Sequence, residues 1–482
     1  MDADITPELV SSFSSALKGD RSVVIARNAT TSSGIKAAAK NPLPFRTYHD
    51  TYSVSLSPTG DVTAQKHSGR CWMFAGYNVM RDLAMSKLQT KNFELSQTYG
   101  QFWDKLEKAN LFLERMIATA DRPCDDRLVL YWLAEPISDG GWWEMVAAEA
   151  QKYGVVPKGA MPETAVSVNT AEMNEILARL LRQDAARLRA AAASGDDVAA
   201  LRARKEAMLA EVYRVLAICL GEPPERFDLE YLADAAGDEA RQGKADARKA
   251  DEPAQTLAER KAAEATQKDF RRISGVTPRE FLRTYVGIDF DEYVGLSNLP
   301  GATRPFGRIL QMDDVIPTAG TPVRTLNEPI DVLKRAAIAS LRDGHPVWFA
   351  CDVLKNLYRN DGKGLLDTET VDTQSLFGVT YDVDKAERLD MRELQINHAM
   401  TLQGVNLDEQ GDPIAWRVEN SWGKDACKDG YLTITDRWMD ENLGQVVVNR
   451  RYLPDDVAKA WYEPTEPPVS LDPWAPMIGC SD

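Results

Sequence analysis

Gln65-Lys66-His67-Ser68-Gly69-Arg70-Cys71-Trp72-Met73-Phe74-Ala75 passes from a polar, glycine-bearing run into an apolar one, with a cysteine at the junction. Beyond the junction Met73, Tyr77, Met80, Leu83 and Leu88 recur at three-, four- and five-residue steps. That spacing follows roughly one helical face and predicts a helix beginning near Cys71. A sulfur at a helix start lies at the positive end of the helix dipole, which lowers a thiol pKa, and a neighbouring imidazolium lowers it further. The Cys71 backbone N–H and the side-chain amide of Gln65, six residues earlier, are the candidate donors to an oxyanion. The competing reading is a small buried residue, as most cysteines are.

A thiol nucleophile needs a base, and the chain has four histidines: His49, His67, His345 and His398. Ile396, His398, Met400 and Leu402 alternate with Asn397, Ala399 and Thr401; Ile414, Trp416, Val418 and Asn420 alternate with Ala415, Arg417 and Glu419. Asp408-Glu409-Gln410-Gly411-Asp412 between them is a turn signal, so the two runs predict an antiparallel hairpin. His398 lies eleven residues before Glu409 and Asn420 eleven after it, which opposes them within a residue or two. An Asn amide oxygen so placed can accept from one ring nitrogen, fixing the tautomer and leaving the other for a thiol. A structural histidine beside a structural asparagine fits the pattern equally well. Trp422, two residues on, is placed either to shield such a bond from water or to be an ordinary core tryptophan.

The rest of the chain sets bounds. It has 482 residues, 44% of them hydrophobic, and a formal charge of −16. A net acidic surface repels phosphate backbones, so nucleic-acid binding is not expected. No apolar run approaches the roughly 18 residues of a membrane helix, and the start Met1-Asp2-Ala3-Asp4 has no apolar stretch after it, so neither membrane association nor secretion is expected. Six cysteines occur without a CxxC pair, which disfavours zinc and points to free thiols in a reducing, cytoplasmic compartment. Residues 1–60, punctuated by Pro42, Pro44, Pro58 and Gly60, read as an arm and irregular structure. A second helix is expected after Ser96, a good N-cap. Residues 171–215 and 236–275, rich in Ala, Arg, Glu and Lys, read as exposed charged helices interrupted near Gly195. Pro346 to Val353 reads as a buried strand. The proline-rich segment from Glu463 reads as neither helix nor sheet.

Gln65, Cys71-Trp72, His398 and Asn420-Ser421-Trp422-Gly423 together resemble the papain family of cysteine peptidases. The general pattern has Gly-Ser-Cys or Gly-Ala-Cys, with His and Asn roughly 130–150 residues downstream. Here Gly69-Arg70-Cys71 stands instead, and His398 follows Cys71 by 327 residues. Both departures match one subgroup, the bleomycin hydrolase and aminopeptidase C family. Ser68–Ala75, Phe93–Gln97 through Trp103–Asn110, Lys152–Pro157 with Met161–Thr164, Pro346–Val353 and Val418–Gly423 carry the resemblance, which runs from about residue 45 to the end.

The resemblance implies an α+β, papain-like fold: a helical lobe plus an antiparallel β-barrel-like lobe, with a large helical insertion. The expected divisions are an N-terminal arm (1–60), the helical lobe with Cys71 (61–165), the inserted helical subdomain (166–290), the β-rich lobe with His398 and Asn420 (291–462), and a tail entering the cleft (463–482). It implies Cys71 as nucleophile, His398 as general base and acid, Asn420 as its orienter and Gln65 in the oxyanion hole. Gly140 and Gly141 would line the substrate cleft, although Trp142 stands where the family usually has Gln. In the family the tail's terminal carboxylate, here that of Asp482, pairs with the substrate's α-ammonium; this chain departs with Ala475 for Asp and an extra Ile478. The expected activity is a cysteine aminopeptidase acting through a thioester, with peptide substrates, no metal or organic cofactor, and a homohexameric assembly. The alternatives are a cysteine endopeptidase, if the tail leaves the cleft open, and a non-catalytic binding assembly.

Overall fold

The helix expected at Cys71 runs from Cys71 to Leu88 in the computed structural model, which describes residues 4–48, 50–234, 268–312, 322–360 and 362–475. It is not an amphipathic surface helix. Met73 and Met80 are buried on the anticipated face, but so are Trp72, Phe74 and Val79 off it. The helix lies between the other helices and the sheet, and a helix apolar all round belongs in the interior.

Gln97–Ala118 forms the second helix, with Ser96 as N-cap accepting from the Tyr99 N–H. Ala171–Ala193 and Val198–Leu220 pack along it, and Gly195 makes the break between them with φ +99°. Leu177, Leu181, Leu188, Val212, Leu216 and Leu220 bury one stripe of this pair, so only the opposite faces are solvated. The helical reading fails further on. Lys268–Val276 is a strand, antiparallel to Phe227–Asp234, with Leu229 opposite Ile273 and Tyr231 opposite Arg271. Ladder pairing and side-chain packing override the helix-favouring composition upstream. Residues 236–267 of that expected helix lie outside the described residues. The arm also differs from expectation. Pro7–Leu17 and Arg21–Ser33 are helices, capped by Thr6 and Asp20, and none of their residues is buried.

One long sheet forms the other half of the molecule. Its strands follow in space as Val469–Leu471, Arg308–Met312, Val323–Asn327, Tyr293–Ser297, Leu443–Asn449, Val347–Cys351, His398–Leu407, Pro413–Glu419, Tyr431–Thr435, Lys363–Leu366 and Leu357–Asn360, with Val54–Ser55 attached to His398–Leu407. The expected hairpin is there, closed by the Asp408 N–H donating to the Asp412 carbonyl. The tail is partly sheet rather than irregular: Val469–Leu471 pairs in parallel with Arg308–Met312, and Leu471 is buried. A short apolar run between prolines can add itself to a free sheet edge without interrupting a ladder. No described helix is long and apolar enough to cross a membrane.

Two apolar cores result. One gathers Trp72, Phe102, Phe112 and Trp348; the other gathers Phe349, Trp416 and Trp438. The strand Val347–Cys351 serves both, since Trp348 and Ala350 face the helices while Val347, Phe349 and Cys351 face the second core. Cys71 and His398 meet at the seam between them.

Candidate active site

Cys71 is the first residue of its helix, and Arg70 at the N-cap supplies no side-chain cap. The positive end of the helix dipole is therefore turned on the sulfur. Arg70 is spent elsewhere: buried, it donates to Ser68 Oγ at 2.9 Å and pairs with Glu163 at 3.1 Å. Burial would raise the Glu163 carboxyl, but the charges of Arg70 and Lys158 and the hydrogen bonds reverse this and bring it down to about 2. The loop before Cys71 is thus pinned by a charged anchor on its far side.

His398 begins its strand, 6% exposed, and its Nε2 lies 2.9 Å from Asn420 Oδ1. The Ser421 N–H also donates to Asn420 Oδ1, at 2.8 Å, which identifies that atom as the oxygen. The His398 Nε2 must then carry a proton, leaving Nδ1 for its hydrogen bond with Cys71. Burial opposes charge on the imidazole, yet the charge of Cys71 and the bonds to Cys71 and Asn420 outweigh it, and the His398 pKa lies above the ordinary value. The hairpin register, Thr401 opposite Glu419, extends to put His398 opposite Trp422, with Asn420 on the diagonal. The Trp422 ring lies over the imidazole, centroids 5.5 Å apart at 34°.

Gln65 joins this group through Ser421. The Gln65 N–H donates to the Ser421 carbonyl at 2.7 Å, and the Ser421 hydroxyl donates to Gln65 Oε1 at 2.5 Å. One N–H of the Gln65 amide donates to the Ser68 carbonyl at 2.5 Å; the amide has a second to offer. Gly141 packs flat on Trp72, where an added Cβ would lie 2.4 Å from the ring. Trp72 is itself fixed, its Nε1 donating to the Asp139 carbonyl at 2.7 Å and its own carbonyl accepting from Trp348 Nε1 at 3.0 Å. So Cys71, His398, Asn420, Gln65 and Trp422 are brought together, with Gly140 and Gly141 beside the residue that follows Cys71. Trp142 is half-buried at the start of the helix Trp143–Tyr153. Asp482 lies outside the described residues.

Several residues of this neighbourhood went unassigned in the sequence. Asp139 accepts from the Gly69 N–H at 3.0 Å, from Thr170 Oγ1 at 2.5 Å and from Asn174 Nδ2 at 2.9 Å, and pairs with Lys105 at 2.5 Å. Burial alone would raise its pKa; Lys105 and these hydrogen bonds hold it well below the usual carboxylate range. Arg81 and Glu419 form a buried pair beneath the site. For Arg81 and Lys105 the available signal was a charged residue on a helix rich in apolar neighbours; Asp139, in a loop, and Glu419, at a strand end, carried none.

The model of the Peptidase C1-like family matches residues 4–243 and 251–478. The chain belongs to the Peptidase C1-like family. Within it, the chain is 39% identical over 478 residues to Aminopeptidase C of Listeria innocua, covering 99% of each chain. It is 36% identical over 480 residues to Aminopeptidase C of Lactobacillus delbrueckii subsp. lactis, covering 99% of this chain and 98% of that one. The crystal structure of PepW from Lactobacillus rhamnosis superposes with a TM-score of 0.89 at 38% identity, covering 99% of both chains. The α+β fold is therefore the papain-like fold of this peptidase family.

Proposed function

We infer that the chain is a cysteine aminopeptidase and that Cys71, His398 and Asn420 carry its chemistry. Full-length similarity to aminopeptidases C supports the activity. One observation carries the assignment of residues: His398 hydrogen-bonds both Cys71 and Asn420 at the seam between the two cores.

The Cys71 thiolate attacks the carbonyl of the peptide's first residue, forming the C–S bond. Charge gathers on the carbonyl oxygen, where the Cys71 N–H and the Gln65 amide receive it. His398, protonated, donates to the leaving amine as the C–N bond breaks, giving a thioester. Neutral His398 then takes a proton from water, whose oxygen attacks the thioester; the acid leaves and the thiolate returns. Asn420 holds the imidazole in one tautomer throughout, and Trp422 keeps water from the bond between them.

Gly140 and Gly141 offer backbone to an extended peptide, which absent side chains permit. The tail supports the exopeptidase register. Tyr131 Oη donates to the Pro473 carbonyl at 2.9 Å, and the Arg127 guanidinium lies 4.1 Å from the Trp474 ring centre. These contacts dock residues 473 and 474 on the helix Arg127–Ala134, whose last residue precedes Gly140 by six positions in the sequence. A carboxylate brought into the cleft from there, that of Asp482, would meet the substrate's α-ammonium. The divisions 1–60, 61–165, 166–290, 291–462 and 463–482, the barrel-like closure of the sheet, a cytoplasmic location and a homohexamer complete the reading.

The test is hydrolysis of a fluorogenic aminoacyl amide by the wild type and by Cys71→Ser, each with its unfolding transition measured. Loss of turnover with folding intact is expected; a fully active Cys71→Ser enzyme would refute the assignment.

A further inference from the structure

Lys105 and Lys108 are buried on the helix Gln97–Ala118, one at 0% and the other at 8% exposure. Two buried ammonium groups three positions apart are costly to desolvate unless closely partnered. Each has a carboxylate: Lys105 pairs with Asp139 at 2.5 Å and Lys108 with Asp104 at 2.8 Å. What both also share is a run of main chain. Lys105 Nζ donates to the Ser138 carbonyl at 2.6 Å, and Lys108 Nζ donates to the Ser138 carbonyl at 3.1 Å and the Gly140 carbonyl at 2.6 Å. The Asp139 carbonyl between them takes the Trp72 Nε1–H. Three consecutive carbonyls are thus claimed from inside the molecule.

The peptide joining Gly140 to Gly141 is trans. A trans peptide points its N–H opposite to its C=O. With the Gly140 carbonyl drawn to Lys108, the Gly141 N–H is turned away from the helix. A diglycine peptide is otherwise the easiest in the chain to rotate, because nothing but backbone resists it. Packing on Trp72 fixes where Gly141 lies; it does not fix which way that peptide faces.

We propose that Lys108 is a positioning residue for substrate binding: by holding the Gly140 carbonyl it presents the Gly141 N–H to an extended peptide backbone in the cleft. The proposal rests on the cleft assignment of Gly140 and Gly141 made above. Lys105 and Asp139 act on the same loop from the other side, since Asp139 also takes the Gly69 N–H next to the Cys71 segment. The hydrogen bonds of Lys108 are with Asp104 and with the Ser138 and Gly140 carbonyls, so its effect on the reaction runs through binding.

The experiment compares wild type with Lys108→Met and with the charge-balanced double variant Asp104→Asn/Lys108→Met, which spares the fold an unpaired buried carboxylate. KM and kcat are measured on a free-amine peptide amide, and the rate of Cys71 alkylation by iodoacetamide is followed across pH. The expected result is a KM raised about tenfold, the size of one lost hydrogen bond of this kind, with kcat and the alkylation profile unchanged within about twofold. A general structural role would lower kcat and disturb alkylation instead, and that outcome overturns the proposal. So does an unchanged KM in a folded variant. A crystal structure of Cys71→Ser with the same peptide separates the two readings. Absence of a substrate contact at the Gly141 N–H overturns the cleft assignment and the inference with it. That contact present, with unchanged kinetics in the lysine variants, overturns the inference alone.

Discussion

Arg81 Nη2 lies 2.7 Å from both carboxylate oxygens of Glu419, with 2% and 0% of the two side chains exposed. The pair ties the third turn of the Cys71 helix to the residue immediately before Asn420. Arg81 also donates to the Asp61 carbonyl at 2.7 Å, and Gln403 Nε2 donates to Glu419 at 2.8 Å, so the carboxylate is surrounded by donors. Burial nonetheless leaves the Glu419 pKa raised, with Arg81 opposing.

Arg81→Met is expected to destabilise the protein by roughly 3–5 kcal/mol at neutral pH, the usual cost of stranding one buried charge. The raised pKa fixes the sign of the pH dependence. A carboxyl that prefers its proton in the folded state loses stability as pH rises and regains it as pH falls. Urea midpoints at pH 5 and pH 8 check this; an equal loss at both would show that Glu419 is not the stranded group.

Asn420→Ala should shift the alkaline limb of kcat/KM to lower pH. The bond to Asn420 helps raise the His398 pKa, so its loss lets burial pull that value down, and less imidazolium remains to protonate the leaving amine. The fall in kcat should be about a hundredfold, since the ring also loses its orientation. A pH–rate profile that merely scales down, with its limb unmoved, would deny Asn420 this part.

Gly141→Ala is expected to lower stability by roughly 1–3 kcal/mol, the range for overpacking. The new methyl would meet the Trp72 ring at 2.4 Å, and the ring cannot retreat because hydrogen bonds hold both its Nε1 and its own carbonyl. Thermal unfolding reads the loss. A neutral effect would mean that the loop moves more freely than its lysine contacts allow.

Removing residues 476–482 should weaken the preference for free-amine over N-acetylated substrates by about tenfold or more, the worth of a charge-assisted contact in a partly dry cleft. Paired assays on the two substrates, with the shortened chain shown to fold, decide the matter. An unchanged ratio would place the amine's recognition elsewhere.

The hairpin and the Cys71 helix were legible because each is written in a local code: period-two alternation around an Asp-Glu-Gln-Gly-Asp turn, and a polar-to-apolar step at a helix start. The diagonal placing of His398 and Asn420 was within reach for the same reason. Lys105 and Lys108 were not, because a lysine on a helix looks solvated until its tertiary partners are known. The pairing of Phe227–Asp234 with Lys268–Val276 was hidden by sequence separation, and the edge strand Val469–Leu471 by the prolines around it. The arm helices were masked by Pro42, Pro44 and Pro58, which lie after them and made the whole segment look irregular.

Ser421 uses its N–H for Asn420, its hydroxyl for Gln65 Oε1 and its carbonyl for the Gln65 N–H. One residue, through its backbone and its hydroxyl, therefore holds both the Gln65 and the Asn420 amide. In the mechanism proposed above, acylation and deacylation each draw on both amides, so a substitution at Ser421 is expected to slow the two half-reactions together.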